Sequence, residues 1–199
     1  MKVTVILAHP DKKSLNYAIA ETAVKTLTAG GHEVAFHDLY REKFPPVLPM
    51  EEIPRNVKLP KIISRHCEEI AEADGIIIVH PNWWGQPPAI LKGWIDRILR
   101  PGVAYTFAEG DRGEGDLIGL LKARAVLIFN TSNTREEREV SVYNDPLETL
   151  WKNNMFISCG VKSYYRKTFR VVITSTGDQR KEWLKEVKNI TKKYFPGAA

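Results

Sequence analysis

The chain has 199 residues, a net charge of +5 and a pI near 9.1. We expect one domain spanning residues 1–199, because this length buries enough surface to form a core without a metal or a disulfide. The densest basic stretch, 181–193, is interrupted by glutamates, and no apolar run approaches the ~20 residues of a membrane span, so we predict neither nucleic-acid binding nor a span.

The predicted elements alternate between strands and helices along the chain. In chain order we expect the strand Lys2–Ala8, the helix Leu15–Thr28, the strand His32–Leu39, the helix Lys61–Ala73, the strand Gly75–His80, the helix Ala89–Leu99, the strand Ala123–Asn130, the helix Pro146–Ser158, a strand within Tyr165–Thr174 and the helix Asp178–Tyr194. The passage Tyr40–Pro60 is rich in proline and cannot form a regular helix. We expect it to be a surface excursion between two elements of one sheet.

The composition of the strands predicts how they are arranged. The first, third and fourth strands are nearly continuous aliphatic or β-branched runs, as in Gly75–His80. Such runs are typical of central strands in a parallel sheet, because both faces of these strands are buried. Five strands alternating with helices therefore predict a doubly wound α/β fold with a five-stranded parallel sheet.

The loop after the first strand indicates a phosphate site. In open α/β sheets, ligands bind beyond the carboxyl ends of the strands, near the point where the strand order reverses. The segment His9–Asn16 has no GxGxxG motif, which disfavours an ordinary dinucleotide site. Ser14 and Asn16 stand where a helix begins, so backbone N–H groups and polar side chains there can bind a phosphate. Either residue can instead be a simple helix cap.

The loop after the third strand carries two adjacent tryptophans, Trp83 and Trp84. Neighbours on an extended chain point to opposite faces, so a core can take only one of them. Flat indoles are well suited to flank a planar ring such as isoalloxazine, and Gly85 lets the backbone approach that ring closely. The alternative is that one indole packs under the loop and the other lies on the surface.

The loop after the fourth strand, Asn130–Glu137, is rich in small polar residues. Its hydroxyl and backbone N–H groups can meet the polar edge of a flavin. Thr134 and Glu137 also have the spacing of a capping box for a following helix. This loop is ambiguous by itself, and the convergence of three loops on one edge of the sheet carries more weight.

Three segments resemble the NAD(P)H:quinone oxidoreductases of the flavodoxin-2 type, the DT-diaphorase-like family. These segments are Pro81–Arg97 (PNWWGQPPAILKGWIDR), Gly102–Phe107 (GVAYTF) and the loop His9–Asn16. The resemblance extends from the first strand to the last helix and implies a flavodoxin-like fold. It also implies a homodimer with a flavin in each crevice at the subunit interface, and a quinone-like acceptor.

The resemblance also implies roles for individual residues. His9, Ser14, Leu15 and Asn16 would hold the phosphate side of the flavin, Pro81, Asn82, Trp83, Trp84 and Gly85 would lie along the isoalloxazine, and Thr131, Ser132, Asn133 and Thr134 would meet its polar edge. Tyr105 and Phe107, together with Trp84, would line the acceptor pocket, with the first two reaching over the flavin of the other subunit. The chain departs from the family pattern at Asn133-Thr134, where Gly-Gly is usual, and at Tyr143, which replaces a His and is the candidate proton donor.

The expected reaction is a two-electron transfer from NADH or NADPH, through the flavin, to a quinone or a similar flat acceptor, with ping-pong kinetics. FMN is slightly favoured over FAD, because no adenine pocket is recognisable in the sequence. Two alternative functions are also considered. A flavodoxin-type electron carrier would share this fold, and a flavoprotein accessory subunit of a potassium-efflux system resembles the same family. Such carriers are usually acidic, whereas this chain is basic.

The cysteine content bears on the compartment. Cys67 and Cys159 lack the spacing of a disulfide framework or of a metal site. Few cysteines, without such a pattern, are typical of proteins in a reducing compartment. The amino-terminal apolar run is too short for a signal-peptide core. We therefore expect a cytoplasmic protein without a bound metal.

Overall fold

The strands of the computed structural model follow the predicted alternation with helices, and the structure describes residues 1–108, 110 and 114–197. In chain order the strands are β1 (Lys2–Leu7), β2 (Glu33–Asp38), β3 (Gly75–Pro81), β4 (Tyr105–Thr106), β5 (Ile118–Gly119), β6 (Ala125–Ser132) and β7 (Ser163–Arg170). Five of them form a parallel sheet in the order β2–β1–β3–β6–β7, whereas β4 and β5 form a small antiparallel pair. This order is that of flavodoxin-like doubly wound sheets, so the predicted fold class is confirmed.

The predicted helices are all present, with boundaries that differ by a few residues, and one further short helix is added. The α-helices are α1 (Leu15–Ala29), α2 (Lys61–Glu72), α3 (Ala89–Ile98), α4 (Glu136–Ser141), α5 (Pro146–Glu148) and α6 (Gly177–Tyr194), of which α4 is the addition. The predicted helix at 146–158 consists of α5 and a π-helical stretch, Thr149–Phe156, that continues it. Short 3₁₀ turns lie at Met50–Glu52 and Val172–Thr174.

A hydrophobic layer covers each face of the sheet. On one face, residues such as Val5 pack with Ile19 of α1 and Val187 of α6. On the other face, residues such as Ile76 pack with helices α2 and α3, including the buried Trp94. All residues of β3 and β6 are buried, because each has a strand on both sides and helices on both faces.

The passage Tyr40–Pro60 differs from the surface excursion that we expected. Phe44 and Glu52 are buried. The guanidinium of Arg97 in α3 donates from Nε to Glu52 Oε2 at 3.0 Å and forms a second, buried contact with the same carboxylate. This ion pair holds the passage against α3, so only part of it is exposed.

The short elements β4, β5 and α4 were absent from the sequence prediction. Two-residue strands and a six-residue helix give too few repeats for a periodic pattern to be recognised. Within the described residues, none of the helices is long and apolar enough to cross a membrane.

Candidate functional site

A cleft of about 970 Å³ opens at the carboxyl ends of β1, β3 and β6. Its volume is at the upper end of the range that is usual for small-molecule sites. All three predicted loops line it, through 13–16, 81–85 and 131–134 together with His9. The structure therefore brings together every residue that the sequence proposed for cofactor binding.

One end of the cleft is the amino terminus of α1. Ser14 is the N-cap of this helix, and its Oγ accepts a hydrogen bond from the backbone N–H of Tyr17 at 3.1 Å. Ser14 also lines the cleft, so it is both a cap and a site residue. The remaining N–H groups of the first turn and the positive end of the helix dipole favour an anion here. Lys13 lies at the same end and adds a positive charge.

Asn16 does not cap the helix. Its side chain is buried, and Nδ2 donates to Thr131 Oγ1 at 2.8 Å, which joins the first loop to the end of β6. Its Oδ1 is buried and has no hydrogen-bond partner within the described part of the chain. A buried acceptor without a donor is unfavourable, so this atom is suited to accept a hydrogen bond from a bound ligand.

The two tryptophans lie in a tight turn and not on an extended segment, which corrects the geometry that we assumed. Trp83 and Gln86 exchange backbone hydrogen bonds, each of 3.1 Å, so Trp84 and Gly85 are the two central residues of a hairpin turn. Both have positive φ, 56° and 71°, as in a type I′ turn. Trp84 is fully exposed and Trp83 is 44% exposed, so neither indole packs in the core.

A positive φ at Trp84 is unusual for a bulky side chain and costs free energy, of order 1–3 kcal/mol. Gly85 is required by the turn itself, and its predicted role in the close approach of the backbone to a ring stays a prediction. A Cβ at this position would lie 2.6 Å from Pro146 Cγ, and its φ is positive. The turn therefore holds a strained, exposed indole at the rim of the cleft.

The loop after β6 does not form the capping box. Arg135 is the N-cap of α4, and no side chain caps that helix. The hydroxyl of Ser132 instead accepts from the backbone N–H of Thr134 at 3.0 Å. Asn133 Oδ1 accepts from the backbone N–H of Ile173 at 2.9 Å, which joins this loop to the segment after β7.

Tyr143 lies at the rim of the cleft and is about half exposed. Arg138 donates from Nε to Tyr143 Oη at 2.8 Å, and its guanidinium lies 5.5 Å from the centre of the phenol ring. Because Oη accepts from Arg138, the phenol proton is free to point elsewhere. The position suits the proton donor that the sequence suggested.

A network of buried polar side chains lies beneath the cleft. His80 Nε2 accepts from Trp151 Nε1 at 3.0 Å and from Asn130 Nδ2 at 2.7 Å, while its Nδ1–H donates to the carbonyl oxygen of Pro81 at 2.9 Å. Burial lowers the pKa of His80 to about 4. The imidazole is therefore neutral near pH 7 and fixes the ends of β3 and β6.

Sequence reasoning missed six residues that line the cleft, namely Lys13, Glu139, Pro146, Val172, Ile173 and Arg180. Three of these follow β7, whose carboxyl end lies beside that of β6. Since β7 is the neighbour of β6, knowledge of the strand order would have predicted that the segment after β7 also lines the cleft. Arg180 donates to Ser175 Oγ at 2.8 Å and to the carbonyl oxygen of Val172 at 3.2 Å, and it adds a second cation to the cleft.

Of the three aromatic residues assigned to the acceptor pocket, Trp84 lines the cleft, whereas Tyr105 and Phe107 lie outside the cleft of their own chain. Tyr105 is in β4, and its ring meets that of Phe107 edge-on at 5.7 Å between centroids. The guanidinium of Arg55 lies 5.1 Å from the centre of the Phe107 ring. Their expected role toward a second subunit stays a prediction.

One group of side chains among the described residues has the spacing of metal ligands, namely His37, Glu42 and His66. Glu42 accepts from His37 Nδ1 at 2.9 Å and from His66 Nε2 at 3.0 Å. The indole of Trp94 donates to His66 Nδ1 at 3.0 Å, which leaves the proton of the neutral ring on Nε2. A protonated nitrogen cannot bind a metal, so this group is a hydrogen-bonded cluster.

A family model described as a flavodoxin-like fold, Flavodoxin_2, matches residues 1–193. A Haemophilus influenzae protein named as an uncharacterized NAD(P)H oxidoreductase is 35% identical over 168 residues, which cover 82% of this chain and 80% of that protein. NAD(P)H dehydrogenase (quinone) 1 of Cavia porcellus is 30% identical over 216 residues, which cover 95% of this chain and 77% of that protein.

A solved structure shows the same similarity in three dimensions. The NAD(P)H:quinone oxidoreductase from Methanothermobacter marburgensis is 25% identical and has a TM-score of 0.83. The alignment covers 96% of this chain and 98% of that chain.

Proposed function

Because this chain belongs to the Flavodoxin_2 family, we propose that it is a flavin-dependent NAD(P)H:quinone oxidoreductase. The similarity to named NAD(P)H oxidoreductases supports an oxidoreductase enzyme that uses NAD(P)H. The observation that carries the flavin proposal is the form of the cleft. It extends from the amino terminus of α1 to the exposed turn that holds Trp83 and Trp84.

The residues of the cleft fit a flavin. The first turn of α1, with Ser14 and Lys13, suits a phosphate. The unpartnered Oδ1 of Asn16 suits a hydroxyl of the ribityl chain, since a hydroxyl can donate to it. Trp83 and Trp84 are exposed enough to flank a planar ring, and the polar groups of 131–134 suit its polar edge.

The chemistry that a flavin would supply in this cleft is two-electron transfer from NAD(P)H to a quinone. The protein positions these partners and stabilises the charge that develops. Tyr143 would hold a proton at Oη, and Arg138 would orient that oxygen through its Nε–H. NAD(P)H and the quinone would use one slot beside Trp84 in turn, which predicts parallel lines in initial-rate plots.

The finer identity of the flavin is also a proposal. FMN needs only the phosphate and ring sites described above, and it is slightly favoured over FAD. FAD would need a further site for its adenosine. The mass of the released cofactor distinguishes the two.

A homodimer is part of the same proposal. Tyr105 and Phe107 do not line the cleft of their own chain, so a second chain would have to bring them to it. Sedimentation equilibrium tests this expectation. A monomer with full quinone reductase activity would contradict it.

We also propose a cytoplasmic location. Cys67 and Cys159 are both free and buried, and burial raises the pKa of each thiol to about 11. Such thiols stay protonated and are suited to a reducing compartment. Cell fractionation tests this location, and recovery from an oxidising compartment would contradict it.

The experiment that tests the proposed function is an anaerobic titration of the purified protein. The protein should be yellow, should be bleached by NADH or NADPH alone, and should recover its colour with benzoquinone. Reduction that requires a separate reductase protein would favour an electron carrier. A protein that binds neither FMN nor FAD would refute the proposal.

Two helix caps provide a matched control. Ser14 caps α1 within the cleft, whereas Thr176 caps α6 and accepts from the backbone N–H of Gln179 at 3.1 Å. Ser14→Ala and Thr176→Ala should each lower the free energy of unfolding by about 1 kcal/mol. Only Ser14→Ala should also weaken flavin binding, and equal affinities in the two variants would contradict the assigned phosphate site.

A further inference from the structure

Glu139 is a buried carboxylate at the wall of the cleft, with 1% of its surface exposed. It lies in the short helix α4, directly after the loop that follows β6. Burial of a carboxylate is unfavourable unless it is hydrogen-bonded or paired with a cation. The groups around Glu139 therefore explain how a carboxylate can be buried at this position.

Among the described residues, each neighbour in contact with the Glu139 carboxylate offers a proton or a positive charge. Asn82 donates from Nδ2 to Oε1, and the hydroxyl of Ser132 donates to Oε2 at 3.5 Å. Arg170 Nε lies 3.5 Å from Oε2, an ion-pair distance without hydrogen-bond geometry. The oxygens of the carboxylate are acceptors, and these groups surround them with donors and one cation. Glu139 is thus an acceptor that joins the ends of β3, β6 and β7.

The contact with Asn82 extends to the turn that carries the tryptophans. While Asn82 Nδ2 donates to Glu139, its Oδ1 accepts from the backbone N–H of Gly85 at 2.9 Å. The carboxylate therefore fixes which way the Asn82 amide faces. That orientation places an acceptor opposite the central residues of the turn, where Trp84 is held at a φ of 56°.

We propose that Glu139 is a positioning residue, which acts through Asn82 to hold the turn that presents Trp84 to the flavin. The part of this inference that concerns flavin binding rests on the proposed function. Its structural part, the control of the turn, stands on contacts of the free chain. The hydrogen bond to Asn82 is the required feature, and the charge pair with Arg170 contributes to stability.

Substitutions separate the hydrogen bond from the charge. Glu139→Leu removes the acceptor and preserves volume, whereas Glu139→Gln removes the charge and keeps an acceptor for Asn82. Asn82→Asp retains an acceptor for the Gly85 N–H but replaces the donor to Glu139 with a second carboxylate, so it breaks the same link by repulsion from the other side. Glu136→Leu is the matched control, because Glu136 lies in the same helix and contacts Arg170 at 3.6 Å, yet it is exposed and does not contact the turn.

The readout is hydrogen exchange at the Gly85 amide of each purified protein, together with its affinity for FMN. Glu139→Leu and Asn82→Asp should accelerate exchange about tenfold and weaken FMN binding about tenfold, the effect of about one hydrogen bond. Glu139→Gln should stay close to the parent protein in both measurements, although its unfolding temperature should fall. Glu136→Leu should change neither exchange nor affinity.

Unchanged Gly85 exchange in Glu139→Leu, or in Asn82→Asp if the leucine variant does not fold, would overturn the inference. Acceleration in Glu139→Gln equal to that in Glu139→Leu would also overturn it, because the charge would then be the required feature. Accelerated exchange in a protein that binds no flavin would support control of the turn and refute the proposed function. The two failures are therefore distinguishable.

Discussion

The buried imidazole of His80 predicts a specific dependence of stability on pH. Two N–H donors point at its Nε2, and the ring is fully buried, so the folded protein binds a proton there only at low pH. The unfolded chain has the ordinary pKa of about 6.5. Between these values the unfolded state binds more protons, so acidification from about pH 6.5 towards pH 4 destabilises the folded state.

The size of this effect follows from the two pKa values of His80. The pKa of His80 is 6.5 in the unfolded chain and about 4 in the folded protein, and a difference of one pKa unit corresponds to 1.36 kcal/mol. The folded state therefore loses about 3 kcal/mol of stability once the pH is below 4. Roughly 2 kcal/mol of this should be lost between pH 7 and pH 5. Burial also lowers the pKa of His66, which adds a loss of the same sign.

The carboxyl of Glu42 affects the stability of the protein at a lower pH than His80 does. Burial opposes its ionisation, but hydrogen bonds from His37 and His66 outweigh that effect and lower its pKa to about 2. Its contribution is complete above the ordinary value of about 4.3 and is lost as the pH falls towards 2. The window from pH 7 to pH 5 is therefore dominated by the histidines.

The assay is urea-induced unfolding at several pH values between 7 and 5. His80→Gln keeps an acceptor for the two donors but removes the titrating ring, so its free energy of unfolding should vary by roughly 2 kcal/mol less across this window. Trp151→Phe removes one of the donors and should destabilise the protein at every pH while keeping the pH dependence. A His80→Gln variant with the full pH dependence of the parent protein would refute the reasoning.

Three further substitutions test the turn, the proton donor and the packing of α3. Trp84→Asn should raise the free energy of unfolding by about 1 kcal/mol, because asparagine followed by glycine suits this turn, but it should weaken FMN binding; urea unfolding and FMN titration measure the two effects, and unchanged affinity would contradict the site. Tyr143→Phe should lower kcat for quinone reduction about tenfold or more without changing FMN affinity, and an unchanged kcat would exclude Tyr143 as the proton donor. Gly93→Ala would place a Cβ 2.1 Å from the carbonyl oxygen of Pro46, and it should lower the free energy of unfolding by about 1–3 kcal/mol, measured by thermal unfolding. Gly177→Ala is the control, because open space surrounds that position, and its loss should be smaller. Equal losses in the two variants would contradict the packing of α3.

The fold was predictable because its strongest signals are local. The aliphatic runs of β3 and β6 indicate central strands, and the structure buries both along their whole length. The order of the strands in the sheet was not predicted, since alternation alone does not specify which strands are neighbours.

Other features of the fold depend on long-range contacts. Glu52 is buried only because Arg97, 45 residues later, pairs with it. The stretch 149–156 was predicted as ordinary helix, because periodicity over eight residues does not distinguish a π-helix from an α-helix. A pattern read over a few residues contains no information on such contacts.

The position of the site was predictable, but the local geometry of its loops was not. Three loops converge on one cleft because parallel strands end at one edge of the sheet. The turn at Trp83 and Trp84 was missed, because a tryptophan at positive φ contradicts its own conformational preference. Glu139 was missed because a glutamate in a charged run is usually exposed, and only the donors around it explain its burial.

A crystal structure of the protein with FMN tests the central claim most directly. The isoalloxazine should lie against the Trp83–Trp84 turn, and the phosphate should lie at the first turn of α1 near Ser14. Asn16 Oδ1 should accept a hydrogen bond from the ribityl chain. Crystals grown in excess FMN that show this cleft without a flavin, or a flavin bound elsewhere, would contradict the account.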